Sequence, residues 1–370
     1  MAATYHKIRS QKYHEKLKQQ LKKLPPVCGD FFRAISQTTS PLTRLAYAYD
    51  LNLFFRYLCS ERVSFANSSP ELMTIEDIEK ISARDIEGFQ EYLMYYVKDD
   101  EKEQSSSPTF VQNNELGIMR KLCSLRSFLD YLFKNELISS NVAMLVDLPK
   151  KKNKPILYLD NDEVQELIKV ITTGEGLSSK QKAYLNSTRE RDLAVVLLFL
   201  GTGIRVSELV GLDMDDFNFE KNSFVVTRKG GDQSILYYPD EVKAAVNNYI
   251  EIRKNIKAEP ESENALFLSL QKKRMTVRAV ENMVKKYANI AAPLKKRISP
   301  HKLRSTFGTA LYQETGDIYL VADALGHSDV NTTRRHYAAM TDQRKREAAK
   351  RIPMPNIPQE NLQGTNKDKK

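Results

Sequence analysis

Apolar residues recur with a helical period along most of the chain, and one stretch breaks that rule. Ser223-Phe224-Val225-Val226-Thr227-Arg228 is rich in β-branched and aromatic residues, and Gln233 to Tyr238 is a second such run. Lys229-Gly230-Gly231-Asp232 joins them and reads as a glycine-containing hairpin turn. One hairpin among helices sets the expected fold class: mainly α with a small antiparallel β-sheet, an α+β chain.

The helices fall into two groups. Tyr47, Leu51, Phe54, Phe55 and Leu58 form one amphipathic stripe, with Ser40-Pro41 as its cap and first-turn proline. Ile118, Leu122, Leu125, Leu129 and Leu132 form a second, with a helical stretch from Ser82 to Val97 and a polar loop at 103–108 between them. These patterns predict a helical bundle over 25–148, preceded by a basic N-terminal extension over 1–24. Pro149-Lys150-Lys151-Lys152-Asn153-Lys154-Pro155 has no periodicity and marks a linker over 149–157. Its charge suits a plain solvated tether and a tether along a phosphate backbone equally. A second domain is expected over 158–352. It opens with a helix capped at Asp160 or Asn161, and continues with an apolar helix from Arg189 that stops at Gly201-Thr202-Gly203. The polar tail over 353–370 has little to bury and is expected to be disordered.

Lys and Arg total 57 against 47 Asp and Glu, a net charge of +10 that suits a polyanionic partner such as nucleic acid and an inert basic surface equally. The three cysteines, Cys28, Cys59 and Cys123, make no C-x-x-C pair, so neither a disulfide framework nor a zinc site is indicated. Residues 1–23 lack the apolar core of a secretory signal, and the longest apolar run, Leu193 to Leu200, is too short to cross a bilayer. No membrane association is expected, and a reducing cytoplasm is the expected setting.

Chemistry-bearing residues gather in the second domain. Arg205 follows a glycine-rich turn and opens a helix, where a planar guanidinium can bridge two phosphate oxygens. Lys229 sits at the hairpin tip. His301 and Arg304, three apart, share a helix face. His327 follows Leu325-Gly326, and Tyr337 follows His336. Each alone has a plainer explanation: a surface arginine, a charged turn, a capping histidine, one half-buried tyrosine among 18. Together they are cations plus one nucleophilic hydroxyl, a set suited to attack on a phosphodiester without a metal or other cofactor.

In this order the residues resemble the catalytic set of the tyrosine recombinases, the phage integrase family: Arg, Lys in a β-turn, His-x-x-Arg, His, Tyr. The neighbouring text is similar too, with Thr202-Gly203-x-Arg205-x-Ser207-Glu208-Leu209 and Leu325-Gly326-His327-Ser328. The likeness spans about residues 155–350. The first half is similar, more loosely, to the family's helical, SAM-like core-binding domain through Ser40-x-x-Thr43-x-x-x-Tyr47-x-x-x-Leu51. The two-domain layout is most similar to the Xer recombinases and simple mobile-element integrases. There are two departures. Tyr337 lies ten residues after His327 where the family usually has nine, a helix rotation of about 100° that the local backbone must absorb. Ser305 stands where many relatives carry a further His.

The resemblance implies a site-specific recombinase that cuts and rejoins double-stranded DNA through a 3′-phosphotyrosyl link made by Tyr337. Arg205 and Arg304 would hold the non-bridging oxygens, with His301 and His327 adding hydrogen bonds. Lys229 would protonate the leaving oxygen, and Glu208 would orient Arg205 or its helix, against the equal alternative of a plain helix-surface glutamate. It further implies a homotetramer on two duplexes, a nucleoid location, and a C-terminal helix near 342–352 docking on a neighbour, against the alternative of a basic helix lying on DNA or in solvent. A DNA translocase would assist chromosome-dimer resolution, or an excision factor the movement of an element. Arg44, Lys121 and Arg126 are candidate DNA contacts in the first domain, against the plain alternative of solvated helix faces. Two rivals stay open: relaxation of supercoils in the manner of a type IB topoisomerase, and a catalytically inactive DNA-binding protein.

Overall fold

The computed structural model describes residues 5–66, 68–98, 109–150, 157–228, 231–295, 298–327, 329–331 and 333–334. Lys229, His336, Tyr337, the expected 342–352 helix and the 353–370 tail lie outside them. The fold is mostly helical with two small antiparallel sheets. The chain forms two compact units, Met1–Asn153 and Lys154–Lys370. Among the described residues no helix is long and apolar enough to cross a membrane.

In the first unit the helices are α1 (Tyr5–Leu21), α2 (Cys28–Ala34), α3 (Pro41–Glu61), α4 (Ile75–Glu79), α5 (Ala83–Tyr92) and α6 (Glu115–Lys134). The Ser40 hydroxyl accepts from Thr43 N at 3.2 Å, and Pro41 occupies the first turn, where a missing N–H costs nothing. Asn114 caps α6 in the same way, accepting from Gly117 N at 2.9 Å. The two predicted stripes meet in one core whose rings interlock: Phe31 and Phe128 at 5.4 Å between centroids, Phe54 and Phe89 at 5.0 Å. Each fully buried ring removes enough apolar surface to contribute about 2–3 kcal/mol. Asp50 of α3, nearly inaccessible, accepts from both Nη atoms of Arg120 and from the Ser124 hydroxyl, pinning α3 to α6.

Two features differ from the sequence reading. The N-terminal segment, set apart as a basic extension, is a helix packed along α3, with Leu17 and Leu24 in the shared core. The stretch after Tyr92 leaves the helix and forms β1 (Tyr96–Lys98), paired with β2 (Thr109–Val111) in the register Tyr96↔Val111.

The second unit comprises α7 (Asn161–Thr173), α8 (Ser179–Thr202), α9 (Val206–Leu209), α10 (Asp240–Lys254), α11 (Val277–Ala291), α12 (Pro300–Thr315) and α13 (Ile318–Ala324). A capping box joins Asp160 to Glu163 at the start of α7. Helix α8 is the core element, with Ala194, Val195, Val196, Leu198 and Phe199 fully buried against flanking helices. It starts ten residues before Arg189, because Ser178 and Gln181 form a capping box there. The predicted hairpin is present as β4 (Ser223–Thr227) and β5 (Gln233–Tyr237), in the register Ser223↔Tyr237 to Thr227↔Gln233. A two-residue strand, β3 (Phe217–Asn218), adds an edge through Phe217↔Phe224.

Candidate active site

The site is organised by the C-terminus of α13. Gly326 adopts φ +56°, the left-handed conformation that glycine tolerates and side-chain-bearing residues resist. Its N–H donates to Asp323 O at 2.7 Å, and His327 N–H donates to Ala322 O at 2.9 Å. This pair is a Schellman closure, and it leaves the Leu325 and Gly326 carbonyls turned out of the helix. The negative end of a helix favours cations, and two arginines meet these carbonyls.

Arg205 donates from Nη2 to Gly326 O at 2.6 Å and Leu325 O at 3.2 Å. Arg304 donates from Nη2 to the same Leu325 O and from Nη1 to Gly203 O. Gly203 ends α8 at φ +62°, and a Cβ there would collide with Phe307 of α12. The glycine therefore allows α8 and α12 to approach closely enough for Arg304 to reach its carbonyl. Glu208, with a side chain only 4% exposed, accepts from Arg205 Nη1 at 2.8 Å and from Arg205 N at 3.0 Å. It fixes both the start of α9 and the direction of the guanidinium. The Arg205 side chain stays 35% exposed, open to a ligand, whereas Arg304 is buried.

His327 follows the turn, and its Nδ1 lies 2.7 Å from Oγ1 of the fully buried Thr333. That contact sets the ring's orientation. His301 is exposed at the start of α12, one turn ahead of Arg304. The structure thus gathers Arg205, Glu208, Arg304 and His327 at one turn, with His301 on the same helix as Arg304. Lys229 and Tyr337 lie outside the described residues.

Sequence reasoning missed three participants. Thr333 holds His327. The carbonyls of Gly203, Leu325 and Gly326 anchor the arginines, and backbone groups carry no sequence signal beyond the glycines beside them. The third is Arg228, read only as the last residue of a strand. Its guanidinium lies against the α-carbon of Gly326, so closely that a Cβ on Gly326 would fall inside it. Arg205 contacts the same residue through its carbonyl, which places the two guanidiniums within roughly 8 Å by backbone dimensions. At an effective dielectric near 20 their repulsion is about 2 kcal/mol, so this geometry favours an anion between them.

The first-unit candidates each have partners within the fold. Arg126 donates to Ala143 O at 3.0 Å and to Val146 O, so its guanidinium is occupied in closing the end of its own bundle. Arg44 is only 7% exposed and donates to His14 Nε2 at 3.0 Å. Lys121 is half-buried and donates to Asn113 Oδ1 at 2.9 Å. Burial lowers its pKa, with nearby Asp50 opposing the shift. A helical stripe shows which face is polar but not which polar groups have partners inside the fold.

The sequence profile of the phage integrase family matches residues 158–344. The chain is 34% identical over 339 residues to tyrosine recombinase XerC of Caldanaerobacter subterraneus subsp. tengcongensis, covering 90% of this chain and 88% of the relative. It is 31% identical to tyrosine recombinase XerS of Streptococcus mutans, covering 82% and 88%. Among solved structures, the XerH site-specific recombinase bound to palindromic difH substrate aligns at a TM-score of 0.59 and 20% identity, over 85% of this chain and 80% of that one. A lambda integrase dimer bound to a COC′ core site aligns at 0.56 and 15% identity, over 84% and 93%. At such identities the structural likeness speaks for the fold, and the family rests on the sequence matches. The chain belongs to the phage integrase family, and with it to the site-specific tyrosine recombinases, enzymes that break and rejoin DNA.

Proposed function

We propose that Tyr337 is the nucleophile and that the scissile phosphate of duplex DNA sits on the turn at Leu325–His327. The observation that carries this reading is the anchoring of Arg205 and Arg304 on one carbonyl, beside His327. Two guanidiniums fixed in advance cost no reorganisation when charge grows on the non-bridging oxygens. A tyrosine hydroxyl, with an ordinary pKa near 10, needs such a field or a base to attack at neutral pH. In the cleavage step the Tyr337 Oη–P bond forms and the P–O5′ bond breaks. The tyrosine proton passes to His301, and the departing O5′ takes a proton from Lys229. The product is a 3′-phosphotyrosyl link and a free 5′-hydroxyl. Attack by a 5′-hydroxyl of a second duplex reverses the step and exchanges strands. Phosphodiester energy is conserved, so neither ATP nor a metal is required.

The assembly we propose is a homotetramer on two duplexes at the nucleoid, with a DNA translocase or an excision factor as the accessory partner. The +10 net charge supports a DNA partner. Contacts from the first unit would come from lysines and arginines other than Arg44 and Arg126.

The test uses nicked suicide duplexes drawn from the DNA flanking the gene. An SDS-stable protein–DNA adduct that disappears in Tyr337→Phe is expected. Tight binding with no adduct would favour a binding protein. Relaxation of a plasmid lacking any such site would favour the topoisomerase reading.

A further inference from the structure

We propose that Arg228 is a third arginine of the cleavage site, contacting a non-bridging oxygen of the scissile phosphate alongside Arg205 and Arg304. The inference rests on the phosphate position proposed above and adds a residue to it.

Four observations support it. The Arg228 guanidinium lies on Gly326, the residue whose carbonyl holds Arg205 at 2.6 Å. Its Nε is buried without a hydrogen-bond partner, so the fold does not use the whole guanidinium. No carboxylate pairs with Arg228 among the described residues, and Glu208 faces Arg205. Other buried or part-buried arginines of the same unit differ. Arg253 donates to the carbonyls of Ala265, Ile256, Ser262 and Glu263, and Arg274 to those of Val210 and Leu212 and to Asp213. Those guanidiniums are occupied by the fold. Arg228 is held beside a like charge, half-buried, with its Nε unmet.

The backbone holds it there. Arg228 N–H donates to Asp232 O at 2.7 Å and Arg228 O accepts from Gly231 N at 3.1 Å, so the hairpin closes on this residue. A planar fork with parallel donors matches two phosphate oxygens better than it matches a lone carbonyl or water. Phosphate at this point would neutralise the pair of cations.

The experiment compares the full-length protein with Arg228→Ala, Arg228→Met and Arg205→Ala. Each acts on the nicked duplex found by trapping and on the same duplex with a neutral methylphosphonate at the scissile position. Arg228→Met keeps an aliphatic stem on Gly326, so agreement between the two Arg228 variants separates charge from packing. On the natural phosphate both are expected to slow adduct formation by about 10²–10³-fold, as loss of one preorganised donor does. On the methylphosphonate, where there is less charge to neutralise, both should fall within a few-fold of the unaltered protein. An equal loss on both duplexes would overturn the proposal in favour of a structural role, and so would no loss on either. Arg205→Ala is the internal control. If it too fails to recover on methylphosphonate, the phosphate position is wrong. If it recovers while the Arg228 variants do not, only the role of Arg228 falls.

Discussion

Arg205 and Arg304 donate to the same carbonyl oxygen, that of Leu325, from helices 120 and 21 residues away in sequence. The two side chains are therefore coupled in the fold. Truncating Arg304 leaves the Leu325 and Gly203 carbonyls short of a buried partner, so Arg304→Ala is expected to destabilise the second unit by about 2–3 kcal/mol. Arg205→Ala, at a more exposed position, should cost less. The double variant should deviate from the sum by at least about 0.5 kcal/mol, as residues sharing a partner do. Thermal unfolding of the four proteins checks this; strict additivity would mean the shared carbonyl does not couple them.

Glu208 holds the Arg205 guanidinium at the start of its own helix, where Nη2 reaches Gly326 O. Glu208→Gln retains one hydrogen bond and removes the charge, whereas Glu208→Ala removes both. Cleavage should fall modestly in the first and by at least about 10-fold in the second, with binding of duplex DNA changed little in either. Adduct-formation rates and a binding titration separate the two effects.

Gly326→Ala meets two obstacles at once: a left-handed backbone, costing about 1 kcal/mol, and the Arg228 side chain lying where the methyl would be. We expect a lowered melting temperature and loss of adduct. Gly29, which has open space and no positive φ, is the contrasting site, where alanine should be tolerated.

Asp85 in the first unit gives a pH signature. Burial pushes its carboxyl up, but the Ser82 hydroxyl and N–H together with Arg62 outweigh that, and the net shift is downward. A carboxylate depressed in the folded state adds stability above its unfolded pKa, near 3.9, and loses it as pH falls through the folded value. Asp85→Asn should therefore be less stable at pH 7, with the gap closing toward pH 3. Urea midpoints across that range test the sign.

Much of this was legible in the chain. The stripes of Leu51, Phe54 and Phe55 and of Leu122, Leu125 and Leu129 do form the first core, and the hairpin at 223–238 is where the β-branched run put it. Arg205 and Arg304, grouped in the sequence reading, share the Leu325 carbonyl. What stayed hidden has common causes. Ser179 to Thr188 is polar without a stripe, so only its capping box marks it as helix. Phe217–Asn218 is too short for alternation to register. Arg228 and Thr333 act through tertiary neighbours far away in sequence, and Arg126 is withdrawn from solvent by carbonyls that no pattern announces.

The central claim is that Tyr337, ten residues beyond His327, is the attacking group. The direct measurement is to digest the trapped adduct with trypsin and sequence the DNA-linked peptide by mass spectrometry. The account predicts a nucleotide on the peptide 336–344, attached at Tyr337 and stable to acid. Attachment to His336, to another tyrosine or to a serine would contradict it.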